Sequence, residues 1–193
     1  MRLSILSLAA IVLLPLPSRA QVPVFKTTPE GSAIKFYVKA SVALVGKFDK
    51  WDANLTFSSS DVTTGVLDIK IAAATVNTGS GVKDGKLKSK DFFNVEQDPT
   101  IEFRSTKVVQ TSPDTFDIVG NFSIRGVSRP ETLKLTVTGK GTGAGFIKGV
   151  MAFDRKDYGM TSGIPFVKIA DRVEVDVDLK VQQVSGPRLV YKE

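Results

Sequence analysis

The chain has 193 residues, 42% of them apolar and 24% charged, the proportions of a globular domain. Its 26 Lys and Arg against 20 Asp and Glu give a formal charge of +6, and it contains no Cys and no His. Disulfides, thiolate nucleophiles, imidazole bases and Cys or His zinc sites are thereby excluded, which leaves carboxylates, Lys, Ser, Thr and Tyr for any chemistry.

Residues 1–20 read as a secretory signal peptide. Arg2 supplies a positive start, the stretch from Leu3 to Leu14 is apolar apart from Ser4 and Ser7, and Pro15 and Pro17 end it. Ser18 and Ala20 place small residues at the −3 and −1 positions of a cut before Gln21. The stretch is too short for a bilayer core that needs about 20 apolar residues. Cleavage would remove Arg2 and Arg19 and no acid, lowering the formal charge from +6 to +4. That mild bias suits anionic lipid or phosphate, whereas no Lys/Arg stripe with interleaved aromatics points to nucleic acid. Export would permit disulfides, so a chain without them must be held by its apolar core.

Residues 21–193 read as strands of one domain. Period-two alternation appears at Ile34, Phe36 and Val38, at Trp51 to Phe57, and at Leu67, Ile69 and Ile71. It returns at Ile101 and Phe103, at Phe116 to Ile124, at Leu133 to Val137 and at Ile147 to Phe153. The last and cleanest run is Val173, Val175, Val177, Leu179 and Val181, with Glu174, Asp176, Asp178 and Lys180 on the other face. About eight half-buried strands predict an antiparallel sandwich or barrel. The segment Ser80 to Phe93 breaks the pattern and predicts a short helical crossover with Leu87, Phe92 and Phe93 turned inward. After Val181 the alternation weakens into a tail or a final edge strand. An eight-stranded barrel either fills itself with side chains or holds one small or elongated ligand, and composition alone leaves both open.

Short motifs add little. Gly139 to Ala144 fits a loose dinucleotide fingerprint, but the residues after it alternate like a strand, so a hairpin loop is expected instead of a helix N-terminus. Asp154 with Asp157, and Asp84 with Asp91, could be imagined as paired acids of a hydrolase. Each has basic neighbours, which fits salt-bridged turns better than an acid with a raised pKa. Lys83, Lys86, Lys88 and Lys90 form either a phosphate-binding rim or a solvated charged face.

Several separated segments, taken together, resemble the YceI-like family of bacterial lipocalin-like proteins. They are Gly46-Lys47-Phe48, Val76-Asn77-Thr78-Gly79, Lys83 to Val95 with Pro99 to Ser105, Gly120 to Pro130, and Phe153 to Met160. The resemblance covers about residues 30–181 in the right order. It implies an all-β fold, an eight-stranded antiparallel lipocalin-like barrel with a short helical crossover, exported to the periplasm. It further implies a long apolar tunnel for a polyisoprenoid, prenyl pyrophosphate, quinone or fatty-acid derivative, with no enzymatic activity and no cofactor. Transient contact with a membrane surface and pairing with a second copy are compatible with it. Phe36, Phe48, Phe92, Phe103, Phe122 and Phe153 are expected to line the tunnel, with Lys83, Lys86, Arg125 or Arg155 at its polar end. Two positions depart from the family: histidines that relatives carry fall at Val38 and Lys86, so a pH-switched or metal-binding role at those places does not transfer. The family's Tyr before Pro99 is Asp98, which removes an aromatic contact.

Overall fold

Alternating apolar and polar residues put one face of every strand indoors, and the sheet curls until those faces meet. The structure is a computed structural model that describes residues 21–41, 43–163 and 168–192; the segment read as a signal peptide lies outside the described residues. The elements in chain order are β1 (Val24–Ala40), β2 (Leu44–Phe48), β3 (Trp51–Thr56), β4 (Val66–Ala72), β5 (Val76–Asn77), α1 (Gly81–Lys88) and β6 (Thr100–Gln110). They continue with β7 (Thr115–Ile124), β8 (Val127–Thr138), β9 (Ala144–Asp154) and β10 (Ile169–Ser185). All pair antiparallel in one sheet of order β3-β4-β6-β7-β8-β9-β10-β1-β2-β5.

Ten strands stand where eight were expected, and the difference has a local cause. The second strand bends at Asp49 and Lys50, so that β2 pairs with β1 while β3 pairs with β4 at the opposite end of the sheet order. The bend is held by hydrogen bonds from Asp49 N to Thr75 O (3.1 Å) and from Ala72 N to Lys50 O (3.0 Å). A strand that changes partner at a corner is how a curled sheet closes on itself. The ladder is open between β1 and β3, where Thr27 Oγ1 donates to Ala53 O at 2.9 Å. The tenth strand is the two-residue β5, which pairs with β2.

The core follows the predicted parity. Ile34, Phe36 and Val38, Leu67, Ile69 and Ile71, and Val173, Val177, Leu179 and Val181 are all buried. The crossover is also as expected: α1 buries Leu87, and the turns after it bury Phe92 and Phe93. Asp84 ties α1 back to the end of β5, accepting from Thr78 N (2.8 Å) and Thr78 Oγ1 (2.7 Å). The Gly139 to Ala144 motif is the β8–β9 hairpin loop, with Gly139, Gly141 and Gly143 all at positive φ. β10 runs on to Ser185, past the expected limit of the alternation. The chain then turns at Gly186 (φ +84°) and crosses the end of the barrel. Among the described residues no helix is long and apolar enough to cross a membrane.

Candidate functional site

The inward side chains do not fill the barrel at the end covered by α1. They leave a cavity of about 680 Å³, lined by β1, β2, β4, β6, β7, β9, β10 and α1. Two aromatic clusters shape it. Phe36, Phe48 and Phe93 lie with ring centroids 5.6 to 6.3 Å apart, and Phe122, Phe153 and Tyr158 lie 5.0 to 5.4 Å apart in tilted and edge-on pairs. The Phe36 ring rests against Gly46, where any Cβ would collide with it. Tyr158 is fully buried and donates its hydroxyl to Glu131 at 3.0 Å. Burial first, and then the Glu131 charge, raise the Tyr158 pKa well above its ordinary value, so the hydroxyl stays a neutral donor.

The lining is apolar except for Ser41 and three cations at the mouth: Lys83, Lys86 and Arg155. Lys83 is exposed. Lys86 Nζ lies 2.6 Å from Asp91 Oδ2 and 5.6 Å from the centroid of the Phe92 ring. The hydrogen bond from Lys86, reinforced by its charge, holds the Asp91 carboxyl below its usual value. Arg155 is buried and largely spent on structure. It donates to Ala170 O (3.3 Å), Met160 O, Ser162 O (3.0 Å) and Asp171 Oδ1 (3.0 Å). A cation saturated in this way supplies positive potential to the mouth but few free donors. Of the three, Lys83 is the exposed cation, and Lys86 makes a single ion pair, with Asp91.

Of the residues expected at the site, Phe36, Phe48, Phe92, Phe122, Phe153, Lys83, Lys86 and Arg155 line this cavity, and two do not. Phe103 is buried but outside this lining, between Ile69 of β4 and Phe122 of β7. Arg125 occupies the two-residue turn between β7 and β8, where it and Gly126 both have positive φ. Its side chain reaches sideways to Gly159 O and to Lys90 O (2.8 Å), so it fastens loops together. Strand parity could identify both as inward or terminal, but not how deep each lies. Val82, Met160, Ile169 and Tyr158 escaped the sequence reading; the first three sit in turns or at element ends, where no periodicity marks them. Val38, one of the two positions departing from the family, also lines the cavity with Lys86.

A second cavity of about 290 Å³ occupies the opposite end and shares no lining residue with the first. The expected long tunnel is thus divided. Residues 186–192 cross over this end: Val190 N donates to Ser60 O (2.8 Å), and Lys192 N donates to Gln110 Oε1 (2.8 Å). Tyr191 packs 6.2 Å from Phe116, with Lys140 Nζ 4.7 Å from its ring.

Three of the four carboxylates considered for hydrolysis are engaged elsewhere. Asp154 caps the 155–158 turn by accepting from Lys156 N (2.8 Å), Asp84 is held by Thr78, and Asp91 by Lys86. Among the described residues, no three or more acids cluster as a metal site would require.

A family model described as the YceI-like domain matches residues 25–181. A UPF0312 protein of Pseudomonas aeruginosa is 33% identical over 123 residues, which is 61% of this chain and 63% of that protein's length. Among solved structures, Burkholderia cenocepacia BcnA superposes with a TM-score of 0.70 at 22% identity, covering 77% of this chain and 95% of BcnA. A polyisoprenoid binding domain from Saccharophagus degradans superposes with a TM-score of 0.64 at 17% identity, covering 84% of this chain and 99% of that domain. At these identities the structural likeness establishes the fold. With the match running from β1 to β10 through both aromatic clusters, the chain belongs to the YceI-like domain family.

Proposed function

We propose that this protein is a non-enzymatic carrier of a long apolar amphiphile, held by its tail in the larger cavity with its head at Lys83 and Lys86. The observation that carries this reading is the cavity itself. About 680 Å³ lies within the roughly 300–1,000 Å³ range of small-molecule sites, and it is apolar everywhere but at a cationic mouth. Each methylene taken out of water contributes about 0.8 kcal/mol, so a tail of ten supplies about 8 kcal/mol. A head on exposed lysines adds about 0.2–1 kcal/mol. The tail therefore dominates affinity, while the cations favour prenyl pyrophosphates and fatty acids over quinones.

Membership in the YceI-like family and the likeness to a polyisoprenoid binding domain support the class of ligand. The setting that fits is the periplasm, reached through residues 1–20. Val82, 86% exposed beside Lys83 on the rim, suits transient docking on an anionic lipid surface, from which a tail could slide inward. The other outcome open to such a sequence, a self-filled barrel acting as a structural or stress-related interaction module with no lipid ligand, fits the packed middle of the barrel but not the larger cavity.

Organic extraction of purified protein followed by mass spectrometry tests the reading. Recovery of an apolar amphiphile in near-stoichiometric amount is expected. An empty protein that also ignores added prenyl lipids and fatty acids would overturn it.

A further inference from the structure

The two cavities are separated by a layer of side chains that line neither. Ile69, Phe103, Leu133, Val177 and Leu179 are each 4% exposed or less. On the wall made by β4, β6 and β7 this layer is thin. Along β4, Ile71 lines the larger cavity and Leu67 the smaller, with only Ile69 inward between them. Along β7, Phe122 lines the larger and Ile118 the smaller, with only Gly120 between. Phe103 sits between these strands, paired with Ile69 on one side and Phe122 on the other. Its ring lies over Gly120, where a Cβ would stand 2.7 Å from Phe103 Cζ. The missing side chain at Gly120 is what lets the ring project into the barrel.

We propose that Phe103, seated on Gly120, is the residue that sets how long a tail the larger cavity accepts, and that the smaller cavity receives the tail's far end only when that ring is removed. This rests on the carrier reading. β1, with Ser41 just past its end, lines the larger cavity from Ile34 to Ser41, about 23 Å of chain at 3.3 Å per residue. A strand tilt of about 40° reduces this to an axial depth of about 18 Å. An extended chain built from 1.5 Å carbon–carbon bonds advances about 1.3 Å per carbon, so the depth accommodates about 14 carbons.

The test is a titration of delipidated protein with saturated fatty acids of increasing length, read by displacement of a bound fluorescent fatty acid. Wild-type affinity is expected to rise about fourfold per added methylene and then level off near 14 carbons. In Phe103→Ala the rise continues, so the longest acids bind at least about tenfold tighter than to wild type. Phe103→Leu, which keeps an apolar side chain in the layer and so preserves folding, shows the same extension to a smaller degree. Wild-type affinity that climbs without levelling off, or an identical plateau in all three proteins, overturns the role of Phe103 while leaving the carrier reading intact. Failure of every length to bind any of them overturns both.

Discussion

At the mouth of the barrel, strands and α1 surround about 680 Å³ of open apolar space, whereas at the far end residues 186–192 are laced across a cavity of about 290 Å³. Around the mouth the polar ties run between neighbouring loops, from Arg155 to Met160 O, Ser162 O and Asp171, from Arg125 to Gly159 O and Lys90 O, and between Ser41 and Lys168. The far end has a parallel bridge between Asp61 and Val190, a two-way hydrogen bond between Gln110 and Lys192, and Tyr191 packed between Phe116 and Lys140. The Lys140 ammonium is in turn paired with Asp114 at 2.5 Å. On the carrier reading, ligand binding falls to the larger cavity and the strap of residues 186–192 braces the opposite end.

If that division holds, substitutions at the two ends should affect different measurements. The largest effect on binding is expected from Val175→Trp, because Val175 faces the larger cavity and is only partly buried, leaving room for an indole. Displacing about three methylenes of ligand weakens binding about fiftyfold, with the melting temperature little changed. At the far end, Tyr191→Ala should do the reverse. Loss of an aromatic pair and a cation–π contact costs about 2 kcal/mol. For a domain of this size that lowers Tm by about 4–8 °C, with fatty-acid affinity unaltered. A smaller effect is expected from Lys86→Ala, which weakens binding of a carboxylate-headed lipid by about two- to fivefold at low salt and less at high salt.

The smallest expected effect is none. Without His or Cys, only the α-amino group titrates ordinarily between about pH 5 and 8, so lipid affinity and Tm should be flat across that range. Acid behaves differently. Hydrogen bonds from cationic partners lower the pKa of Asp91, through Lys86, and of Asp171, through Lys156 and then Arg155. A lowered native value means that the folded state binds the proton less readily than the unfolded chain. The stability these acids contribute is thus present above the ordinary carboxylate value of about 3.9 and is lost as pH falls through the native values. A Tm profile with an inflection near neutrality would contradict this assignment.

Strand identity was legible in the sequence because period-two alternation is enforced wherever one face is buried; of the apolar residues in the alternating run Val173 to Val181, all but the half-buried Val175 are buried. The crossover was legible because charge followed by Leu87, Phe92 and Phe93 interrupts that period. What alternation does not encode is position along the barrel axis. Phe103 and Phe122 have the same parity and face each other across β6 and β7, yet one is buried in the layer between the cavities and the other lines the larger cavity. Nor does alternation encode a bend: at Asp49 and Lys50 the chain sends β2 and β3 to opposite ends of the sheet order, which the period-two pattern on either side does not announce. The segment from Gly186 to Lys192 lacked periodicity because a strap crossing the end of a barrel obeys none. Its Tyr191 is placed by packing against Phe116 and against Lys140 of the β8–β9 loop.

Photocrosslinking with a fatty acid of about 14 carbons bearing a diazirine at its tail end tests the central claim most directly. Labelling is expected on the inner wall next to the dividing layer, at Ile34, Ile71, Ile101 or Phe122, and competed by unlabelled fatty acid. Labelling confined to the outer faces of the strands, or undiminished by competitor, would contradict it.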